Sequence, residues 1–178
     1  MRSFIKVLVF LLLFVNINLF SDSENQYERF LFISYDLGLS LKGWLSGGTG
    51  YGGLIEFANF RYVGIAANLT YFDSYIVKLT GYGLTCFIYP EGYGPYGYYF
   101  RIGLMYHSGS AINEGALVNA ELITIPMNLG MKFVFDDFFG FTLDPYLEGE
   151  IYLGISDYYK SQPFNVRQSI GCRIGFTF

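Results

Sequence analysis

The chain has 178 residues, of which 52% are hydrophobic and 21% aromatic but only 15% charged. Disorder is excluded, because disordered chains have few aromatic residues, and a net charge of −4 without a basic cluster argues against nucleic-acid binding. A helical membrane protein would need apolar runs of about 18 or more residues, and none follows the first 23 residues. The composition is therefore that of a membrane protein without membrane helices.

Residues 1–23 are predicted to be a secretory signal peptide. Arg2 and Lys6 precede an unbroken apolar stretch over residues 7–15, which is too short to span a bilayer as a stable helix. The small residues of Ser21-Asp22-Ser23 fit cleavage after Ser21 or after Ser23. A retained anchor is the alternative. The predicted organisation is thus the signal peptide, a short periplasmic segment (24–29) and one domain (30–178).

Segments of about ten residues follow in which apolar residues alternate with Gly or polar residues, the pattern of half-buried β-strands. In the last segment, Ile170, Ile174 and Phe176 share one face, and Gly171 and Arg173 share the other. The predicted strands are 30–45, 50–59, 63–72, 77–89, 95–107, 121–135, 141–155 and 167–178. The fourth places Lys78 on its apolar face unless a bulge near Gly81 or Gly83 resets the alternation.

The connections between these strands alternate in kind. Short turns are predicted at 59–62, 90–94 and 136–140. The connections at the other end are 46–49, 73–76, 108–120 and 156–166, and the last two are long and polar. This arrangement is typical of an up-and-down transmembrane barrel.

The residues on the apolar face of each strand are too continuous and too aromatic to fit inside an eight-stranded barrel. The interior of such a barrel is only wide enough to be filled by side chains. These residues are therefore predicted to face lipid, since water would not tolerate them. Aromatic residues at both strand ends, among them Phe32 and Tyr89 at one end and Trp44 and Tyr106 at the other, are predicted to form girdles. A soluble β-sandwich with an aromatic core is the alternative.

The inward parity collects charges of both signs, which must be paired to be tolerated in a lumen. Arg173 and Lys132 lie on the strands that flank Glu148 and Glu150 and are their expected partners. The predicted lumen network comprises Asp36, Glu56, Arg101, Lys132, Asp144, Glu148, Glu150 and Arg173. Such a network either plugs the lumen or gates a narrow pore.

Two sequence features resemble a known family. Gly171-Cys172-Arg173-Ile174-Gly175-Phe176-Thr177-Phe178 ends in Phe with apolar or aromatic residues at alternate positions, and Tyr89-Pro90-Glu91-Gly92-Tyr93-Gly94-Pro95-Tyr96 looks like a periplasmic turn. With these features the chain resembles the small OmpA/OmpX-like eight-stranded outer-membrane β-barrel proteins over about residues 30–178. The resemblance implies a bacterial outer membrane location and folding by the barrel-assembly machinery, with Ile174, Phe176 and Phe178 as the assembly signal.

We therefore expect an all-β, eight-stranded antiparallel up-and-down barrel that is monomeric, is surrounded by outer-membrane lipid and has both termini in the periplasm. Its expected role is structural, or adhesion and host contact through the extracellular loops. The candidate loop contacts are Tyr158, Tyr159, Lys160 and Phe164, which alternatively belong to the upper girdle.

A lipid-modifying enzyme is a further alternative. His107 is followed by Ser108 and Ser110, and Glu114 or Glu121 could supply an acidic partner. The spacing does not match the lipid A deacylase, so we predict no enzymatic activity and no cofactor, and His107 is expected to be a rim residue without a role.

The remaining residue types favour neither a disulfide nor a metal site. Cys86 and Cys172 fall on predicted strands four and eight, on opposite sides of a barrel, whereas a disulfide requires Cα atoms about 4.4–6.8 Å apart. One histidine and two separated cysteines cannot build the usual zinc site.

Overall fold

The computed structural model of the protein describes residues 31–60, 62–91, 96–159 and 164–178. The predicted signal peptide and the segment 24–29 lie outside these residues. Within them, no helix has the length and apolar character needed to cross a membrane.

The described residues form a closed antiparallel barrel in which each strand pairs with its neighbours in sequence and β1 pairs with β8. The strands are β1 (Leu31–Asp36), β2 (Thr49–Phe60), β3 (Val63–Asp73), β4 (Val77–Ile88), β5 (Gly97–Asn113), β6 (Ala116–Phe135), β7 (Phe141–Gly154) and β8 (Phe164–Thr177). A helix, α1 (Leu37–Leu45), joins β1 to β2, and short 3₁₀ turns occupy Asp136–Phe138 and Asp157–Tyr159. The predicted eight-stranded up-and-down barrel is confirmed.

The two parities of the strands face opposite sides of the barrel wall. On β3, Ile65 and Leu69 are exposed on the outside, whereas Ala66 and Asn68 are buried inside. The same alternation places Leu104 outside and Arg101 inside on β5. The outer surface is consequently apolar, as the alternation predicts, because successive side chains of a strand point to opposite faces.

The prediction of a first strand over 30–45 is wrong beyond Asp36, because helix α1 follows. Asp36 caps the helix by accepting a hydrogen bond from the Leu39 amide (3.0 Å). At its other end, the Gly48 amide donates to the Gly43 carbonyl (2.9 Å), and Gly47 adopts a φ of +71°. These are N-capping and Schellman interactions.

Helix α1 lies in the mouth of the barrel, against the inner faces of β2 and β8. A Cβ on Gly38 would lie 2.8 Å from the Cα of Gly171, and one on Gly43 would overlap the backbone nitrogen of Gly50. The absence of side chains at these glycines lets the helix pack directly on strand backbone. We call this end of the barrel the mouth, and the end with the short turns the base.

The predicted long loop 108–120 is also wrong. β5 and β6 continue as a paired hairpin up to Asn113 and Ala116, with a two-residue turn at Glu114 and Gly115. Both turn residues have positive φ (+52° and +83°), which matches the twist that tight hairpins require. Strands β5 and β6 therefore rise beyond the others at the mouth.

Strand β4 contains no bulge, since its register with β3 and β5 is continuous from Val77 to Ile88. Lys78 consequently lies on the outer face, where its ammonium nitrogen is 3.4 Å from the Asp73 carboxylate. The predicted reset of the alternation near Gly81 or Gly83 does not occur.

Candidate functional site

Aromatic rings fill the half of the lumen nearer the base. Phe32, Phe87 and Tyr89 are fully buried, and Phe87 packs against Tyr89 and Tyr99 with ring centroids 6.2 and 5.0 Å apart. The prediction that Phe32 and Tyr89 belong to an outer girdle is wrong, because both lie on the inward parity of their strands.

A buried ion pair lies among these rings. The Lys132 ammonium contacts the Glu56 carboxylate, and both side chains are inaccessible to solvent. The Tyr89 hydroxyl donates to Glu56 and accepts a hydrogen bond from Lys132 (2.7 Å). The Lys132 nitrogen also lies 4.2 and 4.3 Å from the ring centroids of Phe32 and Phe87. Cation–π contacts of this kind are strongest when desolvated.

A second buried ion pair lies one level nearer the mouth. Arg173 and Asp144 face each other across the β7–β8 pair, with 3.1 Å between the guanidinium Nε and a carboxylate oxygen. The Tyr99 hydroxyl donates to Asp144 and accepts from Arg173, both at 2.6 Å. The hydroxyl thus bridges the two charges.

Glu148 occupies the next level, and its partners differ from those predicted. It accepts hydrogen bonds from Lys42 on α1 (3.0 Å), from Asn128 (3.0 Å) and from Ser169 (3.2 Å). The prediction that Arg173 and Lys132 pair with Glu148 and Glu150 is wrong, because the register places both cations nearer the base.

The remaining acidic groups of the predicted network lie near the mouth. The Tyr146 hydroxyl donates to the Asp36 carboxylate, whose two oxygens lie 2.7 and 2.8 Å away, in addition to the capping of α1 by Asp36. Glu150 accepts one from the Tyr152 hydroxyl. The Arg167 guanidinium, opposite Glu150 in the β7–β8 register, lies 4.8 Å from the Tyr152 ring centroid.

Arg101 differs from the other buried cations. It is 4% exposed, and it donates to the Asn68 side-chain oxygen (2.6 Å) and packs over Phe87 at 5.5 Å. Within the described residues, no carboxylate lies within ion-pair distance of it, and its Nε has no hydrogen-bond partner.

The lumen opens toward the mouth into a cavity of about 560 Å³, which we call the upper cavity. Arg101, Arg173 and Glu148 line its deeper part, and Lys42 of α1 and Tyr158 line its rim. Between them, β3 to β6 contribute apolar lining residues beside polar ones, which are Asn68, Thr70, His107 and Thr124. The sequence pointed to the charges of this region, but not to the aromatic residues beneath it or to the helix that narrows it.

The histidine does not meet the partners that a hydrolytic site would require. His107 points into the lumen, where its Nε2 lies 3.0 Å from the Thr124 hydroxyl. Ser108 and Ser110 lie on the opposite, outward parity, and Glu121 accepts from the neighbouring Asn119 instead. In the part of the chain that the structure describes, no His, Cys, Asp and Glu side chains cluster as metal ligands would. That the protein is not an enzyme stays a prediction.

The candidate loop contacts are not grouped on one outer surface. Tyr158 and Tyr159 pack edge to face (4.8 Å) in a 3₁₀ turn that lines the rim of the upper cavity. Burial there, together with neighbouring Tyr158, raises the pKa of Tyr159 to about 12. Phe164 is exposed at the start of β8, and Lys160 lies outside the described residues.

The C-terminal residues proposed as an assembly signal lie on the outer face of β8. Phe176 and Phe178 are exposed, and Phe176 packs edge to face on Phe141 of β7 (5.8 Å). Ile174 shares their parity and pairs with Tyr35 and Leu143 in the register. Cys86 and Cys172 are both free, as expected from their positions on β4 and β8.

Comparison with known structures supports the architecture. The chain is similar to the crystal structure of the N-terminal β-barrel domain of Pseudomonas aeruginosa OprF, with a TM-score of 0.54 and 15% sequence identity over 84% of this chain and 96% of that one. The predicted resemblance to small OmpA-like barrels is thus confirmed at the level of the fold. No protein-family model and no curated protein matches the sequence.

Proposed function

We propose that the protein is an integral barrel of a bacterial outer membrane, with a lumen plugged by side chains and a structural or surface-interaction role. The observation that carries this proposal is the polarity of the wall: the outer face is apolar over most of the strands, and most charged strand residues point inward. A closed barrel satisfies all backbone hydrogen bonds of its strands, which is what a lipid environment demands. The free edges that would otherwise promote aggregation are absent from the paired strands of such a barrel.

Membrane fractionation combined with gel mobility before and after boiling tests this location. We expect the protein in the outer-membrane fraction, and a folded form that migrates differently from the boiled one. Recovery in the soluble fraction with a single, unchanged mobility would contradict the proposal.

The proposed plug rests on the two buried ion pairs and the aromatic rings around them. Phe32, Phe87, Glu56 and Lys132 have little or no accessible surface, so water and ions have no room beside them. Removing Glu148, which holds α1 through Lys42 above this layer, should destabilise the barrel without opening a path through the base.

Planar-bilayer recordings test the plug directly. Neither the wild type nor Glu148→Ala should form a stable channel of nanosiemens scale, while Glu148→Ala should unfold at a lower urea concentration. A narrow gated pore is the second candidate, because the upper cavity already opens to the mouth. Stable single-channel steps in the wild type would favour it.

The surface-interaction role is supported by apolar residues at the tip of the long β5–β6 hairpin. Ile112 and Leu117 pair across the hairpin, and both are exposed. The neighbouring Tyr75 is 87% exposed. Cells carrying the Ile112→Ser/Leu117→Ser variant should attach less well to cultured epithelial cells than cells carrying the wild type at equal surface level. Equal attachment would argue for a purely structural role.

A further inference from the structure

The upper cavity has apolar residues on its wall, interrupted by His107 and Thr124, and charged residues on its floor. Phe72, Leu79, Met105 and Leu122 line it from four consecutive strands, β3 to β6. Arg101 lies on the floor. It shares the inward face of β5 with Gly103 and Met105, which are two and four residues further along the strand. At about 560 Å³ the cavity falls within the range of about 300–1,000 Å³ that is usual for small-molecule sites.

In the described lumen the fully buried cations are Arg101, Lys132 and Arg173, and the fully buried carboxylates are Glu56 and Asp144. Of these five, only Arg101 and Arg173 line the cavity, together with the less deeply buried carboxylates of Asp36, Glu148 and Glu150. The two carboxylates pair with Lys132 and Arg173, which leaves Arg101 without one. A buried guanidinium that lacks an anionic partner is costly, and its unused Nε donor adds to that cost.

Glu148, one level nearer the mouth, attracts Arg101 electrostatically but forms its ion pair with Lys42 instead. Its oxygens already accept hydrogen bonds from Lys42, Asn128 and Ser169. Any movement of its carboxylate toward Arg101 would break the contact that ties α1 to the barrel wall. Among the fully buried cations of the described lumen, Arg101 is thus the one without a carboxylate within ion-pair distance.

We propose that the upper cavity binds an amphipathic monocarboxylate, with the carboxylate on Arg101 and a medium-length apolar tail along Leu79, Met105 and Leu122. Guanidinium and carboxylate form paired, charge-assisted hydrogen bonds, and the tail would cover apolar wall that otherwise faces water in the cavity. The proposal goes beyond the structural role and depends on the barrel fold, not on whether the base is sealed.

Isothermal titration of octanoate into the folded protein in phosphatidylcholine nanodiscs tests this proposal, with protein-free nanodiscs as the blank. We expect saturable binding near one to one. Acetate, which lacks the tail, and octanol, which lacks the charge, should each bind about tenfold or more weakly. Octanol binding as tightly as octanoate would overturn the assignment of Arg101.

Three variants distinguish a loss of the ligand site from a loss of the fold. Arg101→Gln should weaken octanoate binding about tenfold or more, since the charged donor is lost. Leu79→Trp should abolish binding by filling the cavity, without touching Arg101. Lys78→Gln, which removes a cation on the outer face of the same region, should bind like the wild type.

Each variant is first checked for the heat-dependent gel shift of a folded barrel. If Arg101→Gln does not fold, the proposal is still tested by Leu79→Trp and by the comparison of octanoate with octanol. Equal affinity in wild type and Leu79→Trp, or no heat beyond that of protein-free nanodiscs, would overturn the proposal. Failure of the protein to enter nanodiscs would instead contradict the membrane location.

Discussion

Glu56 and Lys132 show how individual lumen charges are tolerated. Removing an ion from water costs several kcal/mol, and mutual attraction offsets this only when further hydrogen bonds complete the site. Tyr89 supplies such bonds to both partners, and the Phe32 and Phe87 rings face the ammonium. The pair therefore depends on all three of these neighbours.

Replacing one partner of this pair should be far more harmful than replacing both. Lys132→Met leaves a buried carboxylate without its cation and should lower the free energy of unfolding by about 3–5 kcal/mol. The double variant Glu56→Met/Lys132→Met should recover most of that loss. The free energy of unfolding of both variants is measured by urea unfolding in lipid vesicles, with the heat-modifiable gel shift as the readout of the folded fraction.

The exposed pair of Lys78 and Asp73 provides the control. Lys78→Met should leave the urea midpoint unchanged, because an exposed ion pair contributes little to stability. If Lys132→Met behaves like Lys78→Met, or if the double variant is no more stable than the single one, the buried pair does not have the role assigned to it.

At the scale of elements, α1 is held in the mouth by close backbone packing and by one ion pair. Gly43 rests on the start of β2, where a Cβ would meet the backbone of Thr49 and Gly50. Lys42 reaches across to Glu148 on β7. The position of the helix thus depends on two adjacent residues: Gly43, which has no side chain, and Lys42, whose long side chain reaches Glu148.

Gly43→Ala should displace α1 from the mouth, because backbone atoms cannot move aside as a flexible side chain can. We expect faster tryptic cleavage after Lys42 and a change in the emission of Trp44, the chain's single tryptophan. Gly149→Ala is the matched control, since its Cβ would meet its nearest neighbour at an ordinary 3.9 Å. Equal cleavage rates in the two variants would contradict the packing argument.

The β5–β6 hairpin makes a prediction of its own. Gly115 has a φ of +83°, where a side chain costs roughly 1–2 kcal/mol. Gly115→Val should therefore lower the urea midpoint, whereas Glu114→Asn should raise it slightly, because Asn accepts positive φ better than Glu. A loss of stability in Glu114→Asn would show that Glu114 makes a contact that its backbone geometry does not reveal.

Elements with strict alternation could be predicted from the sequence, and the others could not. β3 was predicted to within one residue, because one parity is apolar throughout. Helix α1 was missed because Leu37, Leu39 and Leu41 also alternate, so the decisive signals were the capping residues Asp36 and Gly47. The upper part of the hairpin was missed because small polar residues hide its alternation.

The candidate site was predictable in composition but not in pairing. Parity alone places Glu148 and Arg173 inside, yet their partners depend on strand register, which a sequence read strand by strand does not fix. Lys42 reaches Glu148 only because α1 turns into the mouth. The inward position of Tyr89 follows from the parity of β4, but the expectation of a girdle outweighed it.

On the scale of the whole molecule, the lumen is layered from base to mouth. Aromatic rings and the Glu56–Lys132 pair fill the base, the Arg173–Asp144 pair lies above them, and the upper cavity follows beneath α1. Packing is therefore tightest where the short turns join the strands. The cavity lies below the extension of β5 and β6, since its lining on these strands ends at His107 and Leu122. The proposed ligand site and the proposed contact surface are therefore at the same end of the barrel.

The proposed orientation in lipid makes a position-dependent prediction for the outer face. Ile102 lies near the middle of β5, between Cys86 and Met127, whereas Leu117 lies beyond the tyrosine pair Tyr82–Tyr106, on the hairpin tip. An arginine at the bilayer midplane of a barrel costs about 2–4 kcal/mol, and near or beyond the interface almost nothing. Ile102→Arg should therefore fold poorly into vesicles and unfold at lower urea, while Leu117→Arg should match the wild type. If both variants fold equally well into vesicles, the apolar belt is not in contact with lipid. If Leu117→Arg is the worse of the two, the membrane lies closer to the mouth than the tyrosine pair indicates.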